Sequence, residues 1–273
     1  GARGGDRDPG HRLMAGWAPP RPEAPLLRSQ RPCLHRSARC PPHFPQRQVD
    51  VSPESSDKVF MVFASREAAG RKLGDTLRRR QLGLDVVLGL PRGGVIVAAE
   101  VAAALKLPLG VLVVRKIGHP WCREFAVGAL AEGGVVVLDQ DSIEPTPGIE
   151  AGLNAILREE EQHLAAYQAR FGFACLENLA FKSVLLVDDG VATGATMEAA
   201  VQSARRRKAR TVTVAAPVAS TSAVERLRRV ADELEVLCVD PDFAAVGRYY
   251  ESFPQISDEE VLKCLRRLKE RGG

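Results

Sequence analysis

Short, wholly apolar segments alternate with helix-length amphipathic segments from residue 58 to the end of the chain. Val86–Leu90, Leu109–Val114 and Val184–Val187 are strand-sized, and none shows the polar alternation of a strand with one solvent-facing side. Strands of this kind are buried on both faces, and strands separated by helices pair in parallel. The sequence therefore predicts an α/β fold in which a parallel twisted sheet carries helices on both faces.

The remaining elements follow from the same periodicity. Ser65 can cap a helix over 66–80, in which apolar residues recur every fourth position. A polar segment rich in glycine and proline, 116–124, is predicted to be a loop. The other predicted helices cover 95–106, 149–171, 195–207, 221–231 and 257–270, and the other predicted strands cover 60–63, 135–138, 211–216 and 235–239.

Composition separates residues 1–57 from the remainder of the chain. They hold ten of the 18 prolines and nine arginines, but no lysine. Such a stretch buries too little apolar area to offset chain entropy, so we expect a disordered extension followed by one folded domain, 58–273. The arginine content would also suit a transit peptide, although the proline density disfavours the amphipathic helix that such peptides form.

Charge and cysteine content narrow the function class. A net charge of +4 permits phosphate-bearing ligands without requiring nucleic acid. No apolar run reaches the roughly 18 residues of a membrane helix, so we expect no membrane partner. The six cysteines include no CxxC pair. We therefore expect free thiols in a reducing compartment, the cytoplasm.

Two adjacent carboxylates, Asp188 and Asp189, follow the apolar strand Val184–Val187. Carboxylates accept hydrogen bonds, so they suit the hydroxyls of a ribose. Glycines and threonines fill the next segment, 190–196, where a helix begins, and backbone amides at a helix N-terminus favour a phosphate. Alternatively, an aspartate caps a tight turn and a threonine caps the helix, but the combination favours a site for a phosphorylated sugar.

This segment resembles the phosphoribosyl-pyrophosphate (PRPP) signature of the type I phosphoribosyltransferases, and the resemblance covers about 58–265. It implies that Asp188 and Asp189 are catalytic and contact the ribose 2- and 3-hydroxyls. The following loop would bind PRPP, largely through amides that wrap the 5-phosphate. The loop residues concerned are Gly190, Val191, Ala192, Thr193, Gly194, Ala195 and Thr196. The chain is most similar to bacterial phosphoribosyltransferase-domain proteins of undefined acceptor.

A second glycine-bearing segment, Leu90–Gly94, ends one predicted strand and opens the next helix. It lacks the Gly-Lys-Ser/Thr of a P-loop and the glycine spacing of a dinucleotide fingerprint. It resembles the pyrophosphate loop of the family, which often carries a cis peptide bond that does not precede proline. Arg92, Gly93 and Gly94 would then bind the diphosphate of PRPP. The alternative is a plain β-turn with a surface arginine.

Two cations, Arg115 and Lys116, stand at the end of the strand Leu109–Val114, before the predicted loop. The segment resembles the mobile catalytic loop of the family, which closes over the diphosphate. Both side chains would be catalytic and would neutralise charge on the departing pyrophosphate. A basic residue is otherwise most often a solvated surface residue.

The resemblance also gives expectations for the acceptor. Phe243 and Tyr249 lie in the stretch that would form a small hood over a base, although each ring could instead pack against the core. Enzymes for 6-oxopurines usually carry an acid where this chain has Ala192. The loop is closer to the adenine type, which implies Glu132 as a catalytic proton handler, with Glu124 as its rival.

The implied function is a magnesium-dependent phosphoribosyltransferase that transfers ribosyl 5-phosphate from PRPP to a purine-like nitrogen acceptor. Magnesium would be carried by the substrate, with no protein metal site. The charged helix 149–171 is an insertion that could serve as a lid or as the contact of a homodimer. Two alternatives stay open, namely a non-catalytic PRPP or nucleotide sensor with a basic face at Arg205–Lys208, and a nucleotide hydrolase.

Overall fold

The computed structural model describes residues 61–139, 142–143, 146–172 and 178–271, with side chains up to residue 267. The predicted extension 1–57 lies outside the described residues. The described helices are α1 (Arg66–Arg80), α2 (Gly93–Leu105), α3 (Ile149–Phe171), α4 (Ala195–Arg206), α5 (Thr221–Leu227) and α6 (Asp258–Arg271). The described strands are β1 (Val86–Gly89), β2 (Leu109–Val111), β3 (Val114–His119), β4 (Cys122–Ala131), β5 (Val135–Leu138), β6 (Ser183–Val187), β7 (Thr211–Ser220) and β8 (Glu233–Asp240).

A five-stranded sheet in the order β2-β1-β6-β7-β8 forms the centre of this part, and all of its neighbouring strands are parallel. Val87 and Leu185 belong to the core that this sheet forms with α1 and α2. Val86 and Leu186, which point the other way, belong to the core formed with α4 and α5. The predicted α/β fold with helices on both faces of a parallel sheet is therefore confirmed.

A second sheet of three antiparallel strands, β3-β4-β5, stands beside the first, and it corrects two predictions. The predicted strand Leu109–Val114 is divided between the two sheets. The predicted loop 116–124 is a hairpin in which Lys116 pairs with Ala129. The polar sequence of this segment did not indicate strands. Residues 122–126 of β4 are exposed, and backbone pairing in a hairpin does not require apolar side chains.

The ends of several elements also differ from the predictions. The predicted strand 60–63 is reduced, among described residues, to a bridge between Phe63 and Tyr250. The helix predicted at 221–231 ends at Leu227, whereas β7 continues to Ser220, well past residue 216. Helices α1 and α3 have the predicted bounds. Over the described ranges, no helix combines the length and the apolar character needed to cross a bilayer.

Candidate active site

A cavity of about 460 Å³ opens at the carboxyl ends of the two central strands β1 and β6. Gly89 pairs with Val187 in the sheet register, so the loops that follow these strands begin side by side. The remaining wall comes from the start of β3, from Tyr167 on α3 and from Val246 in the segment after β8. Ligands in open parallel sheets bind at this edge.

Asp188 lies at the tip of β6, beside α2, the helix that follows the loop after β1. Its Oδ1 accepts a hydrogen bond from the backbone amide of Asp189 at 2.9 Å. A Cβ on Gly94 would stand 2.6 Å from this same Oδ1, so only glycine lets α2 approach this closely. Burial raises the pKa of Asp188 well above its usual range, and the adjacent Asp189 carboxylate raises it further.

Asp189 has a charged partner that lies far away in the sequence. Nε of Arg66, the first residue of α1, donates to its Oδ2 at 2.7 Å. The backbone carbonyl of Asp189 accepts a second bond, from the hydroxyl of Tyr250 at 2.6 Å. The two neighbouring aspartates therefore differ, because Asp189 contacts a guanidinium directly, whereas the cation that acts to lower the pKa of Asp188 is Lys116.

The loop 190–196 lines the cavity, except at Ala195. It is anchored to β7, because the amide of Val191 donates to the carbonyl of Val218 at 2.9 Å. Gly194 adopts a φ of +78° and precedes α4 without a capping side chain. Within the described ranges, the amides of residues 192–194, 196 and 197 have no protein acceptor. This concentration of free donors at a helix N-terminus is suited to a phosphate group.

Three cations, Arg92, Arg115 and Lys116, also line the cavity. Arg92 and Lys116 are exposed, and in the described part of the chain neither forms a salt bridge, although the charge of Lys116 acts to lower the pKa of Asp188. Arg92 follows a cis peptide bond from Pro91, as the resemblance implies. Arg115 differs, because its Nε donates to Oε2 of Glu160 on α3 at 2.8 Å and its guanidinium lies 5.4 Å from the centre of the Tyr167 ring.

Comparison with known proteins identifies the family to which this site belongs. The family model for the phosphoribosyl transferase domain matches residues 61–251. The chain belongs to this family. Its candidate site contains the Asp188–Asp189 segment on which the resemblance rests.

Two relatives extend the comparison. A protein of Mycobacterium tuberculosis, named provisionally as a phosphoribosyl transferase, is 43% identical over 208 residues, which is 76% of this chain and 47% of that protein. The chain thus spans about half the length of the curated relatives it matches. The crystal structure of TT1426 from Thermus thermophilus is 42% identical, covers 76% of this chain and 99% of that one, and superposes with a TM-score of 0.63.

Glu132 does not reach the cavity of this phosphoribosyltransferase domain. It is buried, and its carboxylate accepts from the amide of Val113 at 2.8 Å and from Nη1 of Arg207 at 3.0 Å. Burial raises its pKa. These contacts give Glu132 a structural role, and they argue against the prediction that it handles a proton in catalysis. Its rival, Glu124, is exposed on β4 and does not line the cavity.

The two predicted acceptor-binding aromatics also lie outside the cavity lining. Tyr249 is 1% exposed, and its hydroxyl donates to Oδ2 of Asp240 at 2.6 Å. Phe243 stacks on Tyr249 with ring centres 5.3 Å apart. The alternative interpretation, packing against the core, therefore describes both rings. In their place, Val246 from the same segment contributes to the cavity wall.

The other predicted site residues come together. Most of them line the cavity, namely Asp188, Asp189, Arg92, Gly93, Arg115, Lys116 and the loop 190–196 except for Ala195. Gly94 packs against Asp188. Sequence reasoning missed Arg66, Tyr167 and Glu160. No local signal marks them, since each meets the site through a contact between distant segments.

Three arginines of the basic run Arg205–Lys208 form hydrogen bonds with neighbouring segments of the protein. Arg205 donates to the carbonyl of Val230 and to Asp232, and Arg206 donates to the carbonyls of Gly133 and Gly134. Arg207 pairs with the buried Glu132. These contacts hold the end of α4 to its neighbours, although Arg205, Arg206 and Lys208 remain exposed.

Proposed function

We propose that this domain is a phosphoribosyltransferase that transfers the ribosyl 5-phosphate group of PRPP to a purine-like nitrogen acceptor and releases pyrophosphate. The observation that carries this proposal is the convergence in one cavity of two aspartates, a loop with free backbone amides and three cations. These groups match the three chemical parts of PRPP, which are a diol, a monophosphate and a diphosphate.

Each group has a distinct role. Ionised Asp188 and Asp189 accept hydrogen bonds from the ribose hydroxyls and stabilise positive charge that develops on the ribosyl ring. The amides of residues 192–197 bind the 5-phosphate. Arg92 and Lys116 neutralise the diphosphate as it departs, with Arg115 beside them. The protein forms no covalent bond with the substrate, so catalysis comes from positioning and charge stabilisation.

Magnesium fits this site as a cation carried by PRPP. The described residues include one group of three potential metal ligands, Glu159, Glu160 and His163, but Arg115 already donates to Glu160 there. Mg²⁺ prefers phosphate, hydroxyl and water oxygens, which PRPP supplies itself. When bound, the ion offsets charge on the diphosphate. The aspartates are left to hold the ribose hydroxyls.

Titration calorimetry of magnesium and PRPP tests the binding half of the proposal. Wild type is compared with Asp188→Asn and Asp189→Asn, and Asp75→Asn on the exposed side of α1 is the matched control. We expect each site variant to lose at least about tenfold in affinity, since each loses a charged hydrogen-bond acceptor. Equal affinity in wild type and both site variants would remove the main role assigned to these residues.

A turnover assay tests the chemistry. Purines, pyrimidines and small amides are supplied with PRPP, and pyrophosphate release is measured. Because Ala192 lacks the acid that serves a 6-oxopurine, we expect adenine-like bases to support turnover better than hypoxanthine or guanine. Tight PRPP binding without turnover for any acceptor would favour a non-catalytic sensor. Phosphate release from a nucleotide in the absence of PRPP would favour a hydrolase.

A further inference from the structure

Arg66 lies outside the sequence motifs of the candidate site, yet it contacts Asp189 directly. Its Nε lies 2.7 Å from Oδ2 of Asp189, and the two side chains are only 8% and 15% exposed. Removing one partner of a charge pair with so little access to water strongly destabilises the protein, because the other charge is left buried without it. The contact joins the first residue of α1 to the loop after β6, 123 positions further along the chain.

The guanidinium of Arg66 is held on its other sides by the segment 250–254. Its Nη1 donates to the carbonyl of Pro254 at 2.9 Å. Its central carbon lies 3.7 Å from the centre of the Phe253 ring, a distance at which a cation is attracted to an aromatic face. Phe253 in turn packs on Tyr250, with ring centres 5.0 Å apart.

These contacts join Arg66, Phe253, Tyr250 and Asp189 in a closed ring. Tyr250 donates its hydroxyl to the backbone carbonyl of Asp189, whose carboxylate accepts from Arg66. Asp189 is therefore fixed both at its backbone and at its side chain. The pair also limits the pyrophosphate loop, because a Cβ on Gly93 would lie 1.9 Å from Oδ2 of Asp189 and 2.7 Å from Nε of Arg66.

We propose that Arg66 is a positioning residue that holds the Asp189 carboxylate aimed so that its Oδ1 receives a ribose hydroxyl. This inference rests on the proposed function. Arg66 binds one carboxylate oxygen and leaves the other for the ligand. Its positive charge also offsets the repulsion between the two adjacent aspartates, because it lies directly beside the Asp189 carboxylate.

Ligand titrations separate this role from a general effect on folding. Arg66→Met removes the charge, and Arg66→Lys keeps it. Arg71→Met on the same helix is the control, because the Arg71 side chain is 62% exposed and pairs with Glu100 on α2. Each protein is titrated with PRPP, ribose 5-phosphate and inorganic pyrophosphate in the presence of magnesium. Circular dichroism checks that each variant is folded.

We expect Arg66→Met to bind PRPP and ribose 5-phosphate about tenfold more weakly, while pyrophosphate, which has no ribose, binds as it does to wild type. Arg66→Lys should recover part of the lost affinity, and Arg71→Met should match wild type. If Arg66→Met does not fold, Arg66→Gln replaces it with the same expectation.

Two results would overturn the inference. Wild-type affinity for the ribose ligands in the folded neutral variant would show that Arg66 does not position Asp189. An equal loss for all three ligands would show a general structural effect. If wild type itself binds neither PRPP nor ribose 5-phosphate, the proposed function fails, and the role of Arg66 fails with it.

Discussion

Glu160 on α3 accepts a hydrogen bond from Nε of Arg115 at 2.8 Å, so the inserted helix holds one of the cations of the candidate active site. The same helix contributes Tyr167 to the cavity wall. The insertion is therefore part of the site. The Glu160 carboxylate offsets the positive charge that Arg115 could offer to a polyanion.

Replacing Glu160 tests this restraint. Glu160→Gln keeps an oxygen acceptor for Arg115 but removes the opposing charge, so we expect pyrophosphate to bind roughly threefold more tightly at low ionic strength. Added salt should reduce the gain. Glu159→Gln is the control, because its partner Arg123 is exposed on β4. Titration calorimetry measures both, and identical affinities in the two variants would contradict the restraint.

Gly93, in the loop that follows β1, is expected to be irreplaceable for steric reasons. In Gly93→Ala the new methyl group would collide with Oδ2 of Asp189 at 1.9 Å and separate it from Arg66. We expect PRPP affinity to fall at least about tenfold. Gly83→Ala is the matched control, since nothing lies within 4 Å of its Cβ position. Wild-type binding by Gly93→Ala would show that the loop moves freely.

PRPP binding should release a proton from Asp188. Its pKa is raised by burial and by Asp189, so part of the population is protonated below that raised value. Donation from a ribose hydroxyl favours the ionised form, and affinity should therefore increase as pH rises through the pKa of Asp188. Calorimetry in buffers of different ionisation enthalpy counts the protons. Asp188→Asn, which cannot titrate there, should release fewer, and an unchanged count would refute the assignment.

Arg207 is expected to stabilise the fold through Glu132. The side chain of Glu132 is 4% exposed, so Arg207→Met would leave a buried carboxylate without this cationic partner and cost about 3 kcal/mol of unfolding free energy near neutral pH. The pKa of Glu132 is already raised and would rise further. The deficit should therefore shrink as pH falls toward the pKa of an unfolded glutamate, because protonation removes the buried charge.

Urea unfolding at several pH values measures this effect. Arg206→Met is the control, since Nη1 of Arg206 donates to the neutral carbonyls of Gly133 and Gly134. A deficit that is equal in the two variants, or that does not depend on pH, would contradict a buried charge pair.

The local elements of the fold and the segments of the site could be predicted from the sequence. The bounds of α1 and α3 follow from apolar spacing and, in α1, from the Ser65 cap, which accepts from the amide of Ala68. The apolar run before Asp188 predicts a buried strand whose end is a ligand site. Such signals lie within a few residues of the element that they specify, because helix and strand periods are properties of neighbouring positions.

The partners of these segments were decided by the tertiary structure. The pairing of Lys116 with Ala129 makes a hairpin of a polar segment, and the burial of Tyr249 withdraws an aromatic ring from the cavity. Arg66 reaches Asp189 across 123 positions. Contacts of this kind arise only when the packed sheet brings distant segments together, since charge and packing act through space and leave no periodic mark along the chain.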